Sequence, residues 1–127
     1  MVLQRDGEPP IICDIGTGLR FYGLSLDADL FEGAILVSHL HWDHVQGLPF
    51  FPQLLRAGSK ATVYGPPEEN QSFGEAFAGL VRPPYFPVTL ETFGGDVDFV
   101  DFDDDTVTVG SATITARPVP HLSLIHI

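Results

Sequence analysis

Ala34-Ile35-Leu36-Val37-Ser38-His39-Leu40-His41-Trp42-Asp43-His44 is the stretch on which the fold turns. Its first four residues are apolar, partly β-branched and without polar alternation, which reads as a strand buried on both faces by helices or another sheet. The polar cluster Ser38 to His44 follows at the C-terminal end of that strand, where open α/β sheets build their sites. It holds three imidazoles and a carboxylate within six positions. On a continuing strand, His39 and His41 point to one face because the side-chain period is two. A turn after them would let Asp43 and His44 curl to the same side. Imidazole with carboxylate suits zinc, and also iron or manganese, with open positions left for water. A lone histidine here would be better read as part of a solvated turn. Four ligand-type residues in seven, just past a buried strand, favour a metal site.

Upstream, Pro10 to Ile15 is an apolar run closed by Gly16-Thr17-Gly18, a buried strand ending in a turn. Its one cysteine, Cys13, reads as a small buried strand residue. Downstream, Gly47 to Ala57 carries Phe51, Leu54 and Leu55 at helical spacing, with Pro49 in a first turn and Gly58 as a stop. Ala61 to Tyr64 is a third strand, and Asn70 to Val81 a helix with Phe73, Phe77, Leu80 and Val81 on one face. Arg82 to Pro87 is a proline-rich loop, either a lid or a surface connection. Val97 to Phe102, Thr106 to Val109 and Ala112 to Val119 are strand-like. The order β, β, α, β, α, β, β, β predicts an α/β layer fold whose sheet turns antiparallel at its later end. Six Asp between Asp96 and Asp105 lack the glycine and final Glu of an EF-hand and read as a solvated acidic edge.

His39-Leu40-His41-Trp42-Asp43-His44 resembles the His-x-His-x-Asp-His metal motif of the metallo-β-lactamase superfamily and matches it at every position. Asp14-Ile15-Gly16 is similar to the strand-ending Asp-x-Gly of that superfamily, and Gly47 to Phe51 to the helix start after the motif. The resemblance implies an αββα sandwich, of which this chain would hold one half: a mixed sheet with flanking helices. It also implies two divalent metal ions, zinc first and manganese or iron as alternatives. Carried onto this chain, His39 and His41 bind the first metal, and Asp43 and His44 the second, with Asp43 also orienting the attacking hydroxide. Asp14 orients a ligand from behind or, alternatively, caps the turn at Gly16. His121, after Pro118-Val119-Pro120, is the expected third ligand of the first metal. His44 directly after Asp43 resembles the ribonuclease Z, phosphodiesterase and glyoxalase II branches.

The implied chemistry is hydrolysis of a phosphodiester, small or nucleotide-type, by a hydroxide shared between the metals. Thioester or lactone hydrolysis, iron-dependent oxygen chemistry and an inactive metal-binding fragment are the competing readings. Trp42, Phe50, Phe51, Tyr85 and Phe86 are candidate pocket walls, with Trp42 expected to pack into the core. The family pattern also includes a bridging Asp and a last His that residues 1–127 do not supply. Residues 1–121 therefore read as part of such a domain. Residues 122–127, which look like adapter read-through, read as a non-native tail. Half a sandwich would leave its inner sheet face without the partner that buries it.

Composition bounds the remaining possibilities. The chain has 127 residues, 17 acidic against 6 basic side chains for a net charge of −11, and 44% hydrophobic residues. That apolar share excludes a disordered chain. The acidic balance argues against an extended nucleic-acid surface, which relies on clustered Lys and Arg. One cysteine permits no internal disulfide. Neither a membrane-spanning apolar run nor a secretory signal is evident, so the cytoplasm is the default expectation.

Overall fold

The computed structural model describes residues 1–120. Strands β1 (Val2–Leu3), β2 (Ile11–Cys13), β3 (Glu32–Leu36), β4 (Lys60–Gly65) and β5 (Asp96–Asp101) form one sheet in that spatial order. β1 is antiparallel to β2, and the other pairs are parallel. Sequential order combined with right-handed crossovers puts every connecting helix on one face of the sheet. Those connections are α1 (Gly18–Ser25), α2 (Trp42–Val45) with two 3₁₀ turns (Leu48–Phe50 and Pro52–Leu55), and α3 (Phe73–Ala78).

The core lies between that helical layer and the sheet. Ile12, Ile35, Ala61 and Val63 from the strands meet Leu19, Val45, Leu48, Phe51, Leu54, Phe73 and Phe77 from the connections. Register explains the choice, because Ile12 pairs with Ile35, Ile35 with Val63, and Val63 with Phe99, all facing the helices. α3 is short but well started. Ser72 accepts from the Glu75 N–H at 3.2 Å while the Glu75 carboxylate accepts from the Ser72 N–H at 2.9 Å, a reciprocal capping box.

The opposite face is covered in part by a hairpin, β6 (Thr106–Val109) and β7 (Ala112–Thr115), which is a separate two-stranded sheet. Val107, Val109, Ala112 and Ile114 are its half-buried side chains, alternating with exposed threonines and placing the first leaf of a second layer. Its turn is tied down by the Glu8 carboxylate, which accepts the Ser111 N–H at 2.7 Å, and by Arg5, which donates to the Ser111 hydroxyl at 3.0 Å. Between hairpin and sheet, cavities of about 880 and 890 Å³ remain, and Val100 stays 39% exposed.

Several expectations are corrected. The antiparallel pairs are β1–β2 and the detached hairpin, not the late end of the main sheet, where β5 runs parallel to β4. β1 and α1 are additions to the expected order of elements. Gly47 to Ala57 is two 3₁₀ turns, because Phe51 is extended (φ −88°, ψ 101°) immediately before Pro52. The proline ring disfavours a helical conformation in the residue preceding it. The helix expected over 70–81 is shortened to Phe73–Ala78, and Cys13 ends its strand half-buried. Among the described residues, no helix is long and apolar enough to cross a membrane.

Candidate metal centre

The site lies at the C-terminal edge of the parallel strands. β2 does not stop abruptly. The Asp14 N–H still donates to the Leu36 carbonyl at 2.7 Å, and Asp14 then turns the chain in a left-handed conformation (φ 57°) that Asp tolerates better than most residues. The next residues clasp the segment after β3. The Ile15 N–H donates to the His44 carbonyl at 2.8 Å, and the Gly47 N–H donates to the Ile15 carbonyl at 2.7 Å. Only glycine fits at position 47, since a Cβ there would collide with the Gly16 carbonyl oxygen. This backbone clasp holds α2, and with it Asp43 and His44, against the Asp14 loop.

β3 ends at Leu36, so His39 and His41 do not continue a strand as the period-two reading had it. The irregular chain of residues 37–41 and the start of α2 nevertheless bring the imidazoles together. The ring centroids of His39 and His41 are 4.5 Å apart, and those of His39 and His44 are 4.1 Å apart. His44 lies between two carboxylates, with Nδ1 2.9 Å from Asp14 Oδ2 and Nε2 3.4 Å from Asp43 Oδ2. The other Asp14 oxygen accepts from both the N–H and the hydroxyl of Ser38, each at 2.8 Å, and the Ser38 hydroxyl is 2.9 Å from His39 Nδ1. Burial pushes the Asp14 carboxyl up, but its bonds from Ser38 and His44 outweigh that and hold it below the ordinary carboxylate value.

The Asp14 side chain lies at the imidazole cluster, where it reaches Ser38 and His44. His121 lies outside the described residues, as do residues 122–127. Sequence reasoning gave Ser38 no role. The available signal was its position, directly between a strand end and the first histidine.

The five aromatic residues proposed as pocket walls do not line the groove beside the histidines. Its lining includes Cys13, Leu36, Leu40, Phe102, Ile114 and Val119, together with Glu68, Asp103 and Arg117. Phe51 is fully buried in the core, and Trp42 is 54% exposed rather than packed inside. Phe50 stacks edge-on against Phe86 at 5.8 Å, and Tyr85 lies under the Arg82 guanidinium. Arg82 to Pro87 is thus a surface connection, not a lid over this groove.

A divalent ion suits the chemistry of this donor set. The imidazoles are borderline ligands and the exposed Asp43 carboxylate is a hard one, a mixture that zinc, iron and manganese accept. Asp43 Oδ2 and His44 Nε2 face each other at 3.4 Å, so the two can converge on one cation. Among the described residues, no three His, Cys, Asp or Glu side chains form a ready-made metal cage. The cluster is thus a convergence of donors rather than a closed coordination shell.

Comparison with known proteins agrees with the motif. The family model for a beta-lactamase superfamily domain matches residues 32–126. Uncharacterized proteins of Mycobacterium bovis and Mycobacterium tuberculosis are 30% identical to this chain over 135 aligned positions, covering 94% of it. The chain spans 44% of the length of those relatives. No solved structure gives a significant match. With its family match running from β3 through the histidine motif and the hairpin, the chain belongs to the beta-lactamase superfamily.

Proposed function

We propose that this segment supplies half of the metal centre of a metal-dependent hydrolase acting on a small or nucleotide-type phosphodiester. The supporting observation is the convergence of the His39, His41 and His44 rings beside Asp43, at the sheet edge where Asp14 anchors His44. His39 and His41 would hold a first divalent ion and Asp43 with His44 a second, zinc before manganese or iron. When bound, the ions supply Lewis acidity and a hydroxide at neutral pH, the requirements of attack on phosphorus.

The protein residues have separable tasks. Asp14 fixes the His44 ring by accepting from Nδ1, so that Nε2 is presented toward Asp43. Asp43 is exposed beside His44, which lines the groove, and from there could orient a nucleophile. Arg117, which lines the groove and is paired with Asp104 at 3.1 Å, could turn its guanidinium toward substrate anionic charge that the acidic surface would otherwise repel. A thioester or lactone substrate is the second reading. It is favoured by the apolar part of the groove, Leu36, Phe102, Ile114 and Val119, which would suit an acyl chain.

The test is metal stoichiometry by mass spectrometry on the purified chain and on a His39→Ala, His41→Ala double variant. One or two ions lost in the variant support the reading, and a folded chain that binds none overturns it. In a full-length relative, turnover of a phosphodiester against a thioester separates the two substrate classes. Iron as the native metal would instead favour oxygen chemistry.

A further inference from the structure

We propose that Ser38 is a positioning residue that sets the tautomer of His39, acting as a relay from Asp14. A carboxylate only accepts hydrogen bonds. Asp14 Oδ1 lies 2.8 Å from the Ser38 hydroxyl and 2.8 Å from its N–H, so both groups donate to it. The hydroxyl has one proton, which is spent on Asp14. The same oxygen lies 2.9 Å from His39 Nδ1 and therefore meets it as an acceptor. His39 must carry its hydrogen on Nδ1, which puts the lone pair of the neutral ring on Nε2. The reverse direction, with Ser38 donating to His39, would set two acceptor oxygens against each other at 2.8 Å.

Asp14 Oδ2 imposes the same tautomer on His44 directly, at 2.9 Å from its Nδ1. One carboxylate thus orders two imidazoles whose centroids lie 4.1 Å apart, one by contact and one through a hydroxyl. Both rings present Nε2 as the ligating atom. In the terms of the proposed function, on which this part rests, Ser38 prepares His39 for a divalent cation before the cation arrives. Partners of this kind behind a ligand are worth about 10- to 100-fold in metal affinity.

The experiment uses the metal-free, ¹⁵N-labelled chain above the imidazole titration range, with ring tautomers read from long-range ¹H–¹⁵N correlations. Resonances are assigned through His39→Gln and His44→Gln. In the native chain both rings are expected to show Nδ1–H. Ser38→Ala should move His39 to the Nε2–H or a mixed tautomer and leave His44 unchanged, while Ser38→Thr keeps the native pattern. Chelator competition should show Ser38→Ala binding zinc about 10-fold or more weakly, with Ser38→Thr near native. A native His39 bearing Nε2–H overturns the relay without any variant, as does an unchanged His39 tautomer in folded Ser38→Ala. Tautomers as expected in a chain that binds no zinc support the relay and overturn the metal reading.

Discussion

Asp14 combines a left-handed backbone with three accepted hydrogen bonds, and each property constrains what can replace it. Asparagine keeps the shape and one acceptor oxygen. If that oxygen stays on Ser38, its amide must donate to His44 Nδ1, which requires the opposite ring tautomer. Asp14→Asn is therefore expected to turn His44 to Nε2–H and weaken zinc binding about 10- to 100-fold with little loss of fold, measured by ring NMR and chelator competition. Its neighbour Cys13 gives a second prediction at this scale. Burial raises its thiol pKa, the nearby N-terminal ammonium lowers it, and the Asp14 charge raises it, for a net upward shift. Less thiolate is then present at pH 8, so iodoacetamide should alkylate Cys13 more slowly than a free cysteine peptide. The histidines and Asp43 were legible because their residue types alone announce ligand chemistry. Ser38 was not, because a serine gains meaning only from the groups on either side of its hydroxyl.

Elements were legible where burial alone decides them and illegible where proline or a tertiary contact does. The continuous runs of β3 and β4 had no other stable reading. The 48–55 segment carried a helical apolar spacing, yet Pro52 forces Phe51 out of the helix, and the same apolar residues reach the core from two 3₁₀ turns. α1 lacked a clear signal because its end is set from outside. Gln53, fully buried, donates to the Gly23 carbonyl at 2.7 Å in the last turn of α1 and reaches Asp27 at 3.4 Å. Gln53→Leu removes the buried side-chain donor and leaves that carbonyl with the Leu26 N–H at 3.2 Å, which should cost about 0.5–1.5 kcal/mol in chemical denaturation. Gly47→Ala wedges a methyl between the Asp14 loop and α2. It should cost about 1–3 kcal/mol and, unlike Gln53→Leu, also loosen the imidazole cluster, seen as changed His44 ring shifts.

At the scale of the whole chain, the two layers differ in how firmly they are held. β3 and β4 carry fully buried residues, whereas the hairpin has only half-buried ones above an incompletely filled cavity. Hydrogen exchange is expected to report this directly, with β6 and β7 amides exchanging at least about 10-fold faster than those of β3 and β4. Glu8→Ala, which removes the Ser111 anchor, should widen the difference. Among the described residues, β5 is one edge of the main sheet, and its aspartates at 96, 98 and 101 oppose pairing with another strand. Mixed-layer architecture was legible from the order of strands and helices. Placement of the hairpin on the second face was not, because it depends on contacts between segments more than a hundred residues apart.

The anchor pair Asp14 and His44 is separated by 30 residues and joined by a single β–α–β crossover. That is a short loop to close, and closing it costs little chain entropy compared with joining the hairpin to the N-terminal segment. The chemical end of the molecule is thus drawn from a short span of chain. During synthesis, the imidazole cluster can assemble once β2, α1, β3 and α2 have left the ribosome, ahead of the strands that will shape the groove around it.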